Sequence, residues 1–177
     1  MANDRAQLLS RAAAVRLAVF DVDGVMTDGR ISYTSDGAEI KSFHSQDGLG
    51  LKALRQNGIE VAVITARQSN IVERRMGELG IAYLLQGRRD KSRALDELLT
   101  ELNLDESQTA YTGDDLVDWP AMGRCGLKCA PADAHHHILD RADFRCQRPG
   151  GAGAVREVCE LVLEGHGLLE AWLESFS

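Results

Sequence analysis

Proline is nearly missing from this chain of 177 residues, occurring only as Pro120, Pro131 and Pro149, and no long linker, internal repeat or low-complexity tract divides the sequence. The length therefore suits one domain over residues 1–177, large enough to bury about 70% of the surface that its unfolded chain exposes. Cysteine is also scarce. Cys125, Cys129, Cys146 and Cys159 lack the paired Cys-x-x-Cys spacing of a zinc site and the pattern of a disulfide framework, so they read as reduced thiols. No stretch reaches the roughly 18 consecutive apolar residues needed to span a bilayer, and Met1-Ala2-Asn3-Asp4-Arg5 lacks a signal-peptide apolar region. A cytoplasmic protein is expected. Positive charge is in the minority, with 20 Lys and Arg against 27 Asp and Glu for a net charge of -7. That balance argues against a nucleic-acid or anionic-membrane partner, both of which want clustered cations. Any anionic ligand must be held by local cations, the candidates being a metal, Lys52, Arg67, Arg75 and Lys91.

What the sequence does contain is an alternation. Apolar strand-like runs at Leu17–Phe20, Val61–Ile64, Ala82–Leu85, Thr109–Thr112 and Leu127–Ala130 alternate with segments of helical period, Gly48–Gln56, Gln68–Leu79 and the face Ala94, Leu95, Leu98, Leu99, Leu102. Asn57-Gly58 and Gly80 close the first two helices in the usual C-terminal manner. The pattern predicts an α/β, Rossmann-like parallel sheet with helices on both faces. Between the first two strands, Arg30–Thr34, the turn Ser35-Asp36-Gly37 and Glu39–Phe43 predict a β-hairpin within residues 28–47. Apolar side chains are expected on both its faces, Ile40 on one and Phe43 on the other. The triplet His135-His136-His137 is no metal site on a helix, because consecutive helical residues point about 100° apart.

The chemistry concentrates where strands end. Phe20-Asp21-Val22-Asp23-Gly24 places two carboxylates one residue apart after the first strand, and such close carboxylates resist joint ionisation unless a divalent cation neutralises them. Mg²⁺ prefers that arrangement of few carboxylates and hard oxygens. Thr65 follows the second strand, where its hydroxyl can bond a phosphate oxygen. Lys91 opens a helical segment, where an ammonium can neutralise a phosphoryl group. Thr112-Gly113-Asp114-Asp115-Leu116-Val117-Asp118 closes the fourth strand with a carboxylate cluster. Each piece is weak alone; their order is a strong joint signal.

On those four pieces the chain resembles the haloacid dehalogenase superfamily of phosphatases, from Leu17 to about Leu163. The resemblance implies a nucleophile at Asp21 and a general acid and base at Asp23. It further implies Thr65 and Lys91 on the phosphoryl oxygens, and Mg²⁺ held by Asp21, the backbone carbonyl of Asp23 and Asp114. Asp115 is a neighbour of that ligand set and Asp118 a support behind it. The short hairpin replaces the folded cap of larger members. With Asp47-Gly48-Leu49-Gly50, Asp114–Pro120 and the Gly150–Glu157 string, it is similar to one branch, the 3-deoxy-D-manno-octulosonate 8-phosphate phosphatases of lipopolysaccharide sugar synthesis. That branch implies a homotetramer, with hairpins from several subunits burying each other, and substrate contacts at Asp23, His44, Ser45, Gln46, Asp47, Gly48, Lys52, Arg67, Arg75 and Lys91. His44 stands where an amide is commoner and Lys52 where an arginine is. Two alternatives stay open: a phosphatase for a related sugar acid such as a nine-carbon 9-phosphate, and a non-catalytic domain of the same fold. The tail beyond Gly150 is expected to begin as a flexible glycine-rich loop and to end in an amphipathic helix, on a subunit boundary or on its own core.

Overall fold

In a computed structural model that describes residues 2–177, the chain runs α1 (Ala2–Ala13), β1 (Leu17–Phe20), β2 (Ser32–Tyr33), β3 (Glu39–Ile40), α2 (Ser45–Gln56), β4 (Glu60–Ile64), α3 (Asn70–Leu79), β5 (Tyr83–Leu85), α4 (Lys91–Leu102), β6 (Thr109–Thr112), α5 (Trp119–Met122), β7 (Leu127–Ala130), α6 (His136–Leu139), β8 (Phe144–Arg145), α7 (Ala154–Gly165) and α8 (Leu169–Glu174). Six strands form a parallel sheet in the order β5-β4-β1-β6-β7-β8, while β2 and β3 make a separate antiparallel hairpin. The sequence reading lacks α1, the four-residue α5 and β8. The strand β8 has two residues at the sheet edge, too short for an apolar run to announce it.

The strands are apolar on both faces because helices cover both. Alternate side chains go to opposite cores, as the two-residue pleat period requires. Ala18, Phe20, Val61, Val63 and Ala110 join a core with residues of α2, α3 and α7. Leu17, Val19, Ala62, Ile64 and Tyr111 join a second core with residues of α4 and α5. The helix over α2 begins at Ser45, three residues before the predicted start, and α3 stops at Gly80, left-handed at φ 68°.

The hairpin is smaller than expected, pairing only Ser32 with Ile40 and Tyr33 with Glu39. Phe43 falls outside it. Its ring packs against the chain's own core, with the Arg75 guanidinium 6.0 Å from its centroid, so the expected second apolar face is absorbed by the domain itself. Ile31, Tyr33 and Ile40 remain exposed. The Gly150–Gly153 segment is likewise no free loop: Gly150 N–H donates to Asp133 Oδ1 at 2.9 Å and Gly151 N–H to the Val25 carbonyl at 3.0 Å. Of the two placements open for the last helix, its own core receives it. Leu168, Leu169 and Trp172 pack there, and Arg156 lies 4.5 Å above the Trp172 ring.

Candidate active site

The pairing of β1 with β6 creates the site. Phe20 lies opposite Thr112, and Asp21 N–H donates to the Thr112 carbonyl at 3.1 Å, so the residues that follow the two strands emerge side by side at their carboxyl ends. There Asp21, Asp114 and Asp118 each offer an oxygen within 4.8 Å of the other two. Two glycines make the approach possible. Gly24 has φ 95°, and a Cβ on it would lie 2.1 Å from Asp114 Oδ2. Gly113 serves space more than turning, since its Cβ would come 2.5 Å from that of Asp118.

Lys91, at the first position of α4, is 3% exposed and bridges two of these carboxylates, with Nζ 2.9 Å from Asp21 Oδ1 and 2.6 Å from Asp118 Oδ1. Asp118 is fully buried. It accepts from the Tyr111 hydroxyl at 3.2 Å through Oδ1, and from the backbone N–H groups of Asp114 and Asp115 at 3.2 and 3.3 Å through Oδ2. Both its oxygens are thus occupied, as befits a support. Burial, then the charge of Asp118, pushes Asp21 up to about 7 despite Lys91. Burial followed by Asp118, Asp21 and Asp115 pushes Asp114 up to about 8. Burial works to discharge Lys91, but Asp21 and Asp118 outweigh it and raise its pKa, so it stays an ammonium. Three carboxylates against one cation leave a deficit of positive charge, and Asp114 Oδ1 is buried without a hydrogen-bond partner. A hard divalent cation fits that donor set on charge and ligand type.

Comparison with known proteins agrees with this geometry. Residues 83–155 match the family model of haloacid dehalogenase-like hydrolases. The 3-deoxy-D-manno-octulosonate 8-phosphate phosphatase KdsC of Yersinia pestis is 47% identical over 163 residues, 92% of this chain and 87% of the relative. The same phosphatase from Escherichia coli K12 is 44% identical over 93% of this chain and 88% of its own. This chain belongs to the KdsC family of haloacid dehalogenase-like hydrolases. Among solved structures, the 3-deoxy-D-manno-octulosonate 8-phosphate phosphatase of Moraxella catarrhalis, in complex with magnesium ion, phosphate ion and KDO, superposes with a TM-score of 0.94 at 42% identity, covering 96% of this chain and 98% of that one.

The remaining candidate residues of this KdsC-family chain sort into two further groups. Asp23 is not one of the three clustered carboxylates and has other partners. Its Oδ1 accepts from Lys41 Nζ and its Oδ2 lies 3.8 Å from Arg67 Nε. Arg67 also reaches Glu39 at 3.1 Å and the Tyr33 hydroxyl at 3.2 Å, tying the strand end to the hairpin. Thr65 is buried and its Oγ1 accepts the Arg67 N–H at 3.3 Å. The second group surrounds the start of α2. His44, Asp47, Gly48 and Arg75 line one tight crevice with Phe43 and Met26. His44 Nδ1, Asp47 Oδ2 and Arg75 Nε are all buried without partners. Asp47 is held by the Arg156 N–H of α7 at 2.9 Å, and burial raises its pKa. Ser45, Gln46 and Lys52 are exposed, with Gln46 accepting from Arg148 at 3.1 Å.

Sequence reasoning missed Lys41, Glu39 and Tyr111 as neighbours of the site. Tyr111 looked like one more apolar strand residue. Lys41 carried a signal that went unused: a lysine just after a hairpin strand, at the point where the chain turns back toward the domain. The four cysteines are all free and buried, and burial pushes Cys125 and Cys146 up to about 12, which makes them inert.

Proposed function

We propose that this chain hydrolyses 3-deoxy-D-manno-octulosonate 8-phosphate to the free sugar acid and phosphate, with Mg²⁺ as cofactor, in lipopolysaccharide synthesis. The observation that carries the reading is the cluster of buried Asp21, Lys91 and Asp118 with half-buried Asp114 near the carboxyl ends of β1 and β6, in a chain similar over 92% of its length to a phosphatase of that ester.

Asp21 attacks phosphorus in line, forming an aspartyl phosphate while the bond to the sugar oxygen breaks. Asp23 gives its proton to that oxygen and then takes one from the water that hydrolyses the aspartyl phosphate. Thr65 and Lys91 hold the phosphoryl oxygens. Asp21, the backbone carbonyl of Asp23 and Asp114 would hold the metal, which when bound supplies charge to offset the phosphoryl group. Asp118 fixes Lys91 and the 114–115 backbone in place. Arg67, Arg75, Lys52, His44, Ser45, Gln46, Asp47 and Gly48 contact the sugar acid, whose carboxylate suits the planar fork of an arginine.

We further infer a homotetramer in which the exposed hairpin faces meet, because Ile31, Tyr33 and Ile40 lie 44%, 59% and 47% exposed on a hairpin too small to cover a site alone. A cytoplasmic location is supported by free, buried thiols and by the finding that, among the described residues, no helix is long and apolar enough to cross a membrane. A panel of sugar phosphates with Mg²⁺, the octulosonate 8-phosphate and a nine-carbon 9-phosphate included, tests the reading. Preference for the eight-carbon ester is expected, and higher kcat/KM on the nine-carbon ester would reassign the substrate.

A further inference from the structure

Burying a lysine ammonium is costly unless an acid pairs with it. The side chains of Lys91 and Lys41 are both only 2% exposed. Lys91 belongs to the carboxylate cluster. Lys41 has no place in the mechanism above, although it sits one residue past β3 and donates to Asp23 Oδ1, 18 positions earlier in the chain. Its ammonium also lies 3.5 Å from Glu39 Oε1. Glu39 is itself engaged by Arg67 and by the Ser69 hydroxyl, so Lys41 cannot swing to another acid without breaking a network that spans the hairpin and the β4–α3 connection. The other oxygen of Asp23 is different. Oδ2 lies 3.8 Å from Arg67, beyond hydrogen-bond length, and keeps its capacity for a further partner.

We propose that Lys41 is a positioning residue for proton transfer to the leaving oxygen. By holding Oδ1, it fixes the rotamer of Asp23 and leaves Oδ2 to serve the substrate. The step balances simply: the Asp21 oxygen to phosphorus bond forms, the phosphorus to sugar-oxygen bond breaks, and the Asp23 proton passes to the departing oxygen. The hairpin thus does more than stand at the site's edge, because one of its side chains orients the acid of the same chain. This inference rests on the phosphatase reading above.

A leaving-group comparison separates this role from a merely structural one. Under single-turnover conditions with Mg²⁺ and excess enzyme, release of the alcohol reports the first chemical step alone. An ester that needs its oxygen protonated should suffer from a misplaced acid; p-nitrophenyl phosphate, whose leaving group is stable as an anion, should not. Lys41→Met should slow release of the octulosonate by about 30-fold or more, a large part of the roughly 10²-fold or greater contribution of general acid catalysis, and release of p-nitrophenolate by less than about threefold. Lys41→Arg, which restores a cation able to reach Asp23, should recover much of the loss. Lys41→Gln repeats the comparison should the methionine variant fold poorly, with thermal melting of each variant as the control. Equal slowing of both esters would overturn the proposal, as would unchanged release of both. If the unmodified chain cleaves aryl phosphates and leaves the octulosonate ester untouched, the substrate reading fails instead. The Lys41 proposal is then decided on aryl phosphates of graded leaving ability, where it requires a loss that grows as the leaving group worsens.

Discussion

The carboxylate cluster and the hairpin differ in how their side chains are held. Asp21 and Asp114 follow the ends of two paired strands, Asp118 is the N-cap residue of the short helix α5, and Lys91 opens a helix packed on them, so the four groups are placed by the core itself. The hairpin is two residues per strand, with three large apolar side chains facing outward. Rigid positioning of this kind is what a reaction centre needs, and one folded chain supplies it here. The hairpin's outward surface, by contrast, is left uncovered by the chain. The difference teaches that a cluster held by the core and a lightly held hairpin can be damaged separately, even though Lys41, just past the hairpin strand, reaches Asp23.

The largest separable damage is to the nucleophile. Asp21→Asn should lower turnover by about 10⁴-fold or more, since an amide is neither nucleophile nor anionic ligand, while thermal melting stays near that of the unmodified chain. Removing one negative charge from a crowded acidic site gives no reason for unfolding. A variant keeping a tenth of the activity would move the nucleophile elsewhere.

Lys91→Met strikes the same cluster through its cation. Asp21 and Asp118 would be left buried without their countercharge, at a cost on the order of 3–5 kcal/mol, so both activity and stability should fall in denaturant melts. Arg88→Met is the matched control, because its pair with Glu97 is about two-fifths exposed on each side and such surface pairs contribute about 1 kcal/mol or less. Equal destabilisation by the two variants would contradict the arrangement of the cluster.

A gentler perturbation is pH. Asp21 and Asp114 have folded pKa values raised to about 7 and about 8 from an ordinary 3.8. Protonated carboxyls therefore favour the folded form below about 4, and that contribution is lost as pH rises through 7 and 8. Metal-free protein should melt lower at pH 8.5 than at pH 6. Added Mg²⁺, which binds the ionised carboxylates, should raise the melting temperature more at the higher pH. A Mg²⁺ increment that shrinks as pH rises would reverse the electrostatic account.

How legible these regions were in the sequence follows from the same contrast. β1, β6 and β7 appear at the predicted bounds, because short, largely buried runs after polar segments have few other readings. The cluster was legible through the strand ends that carry Asp21 and Asp114. Lys91 sits at the start of α4 as expected. Less legible were interactions that exist only in three dimensions. Nothing in the string shows that Asp118 has both oxygens occupied, or that Asp47 reaches an N–H of α7, 109 positions away. Phe43 was misplaced because strand alternation was extended beyond the paired residues. Past Ile40 the chain is already returning to the core, and the period of two no longer decides which way a side chain faces.

That misplacement gives the finest test of the comparison, since Phe43 and Ile40 lie three residues apart in different regions. Phe43 packs on the chain's own core, so Phe43→Asp puts a charge against apolar neighbours and should cost about 2–3 kcal/mol in a denaturant melt, the scale of a buried aromatic side chain. Ile40 is 47% exposed and packs on neither core. In a single chain Ile40→Asp should change stability by less than about 0.5 kcal/mol, as surface substitutions do. If hairpins meet in a tetramer, however, the same aspartate is placed near its symmetry copies, where like charges repel. Light scattering should then show smaller species for Ile40→Asp, with weaker turnover of the sugar phosphate and little change toward p-nitrophenyl phosphate. Should Ile40→Asp keep the mass of the unmodified protein, the assembly does not run through the hairpin. Should the unmodified chain be a fully active monomer at nanomolar concentration, the site needs no neighbour, and the exposed apolar groups of the hairpin serve the substrate of their own chain.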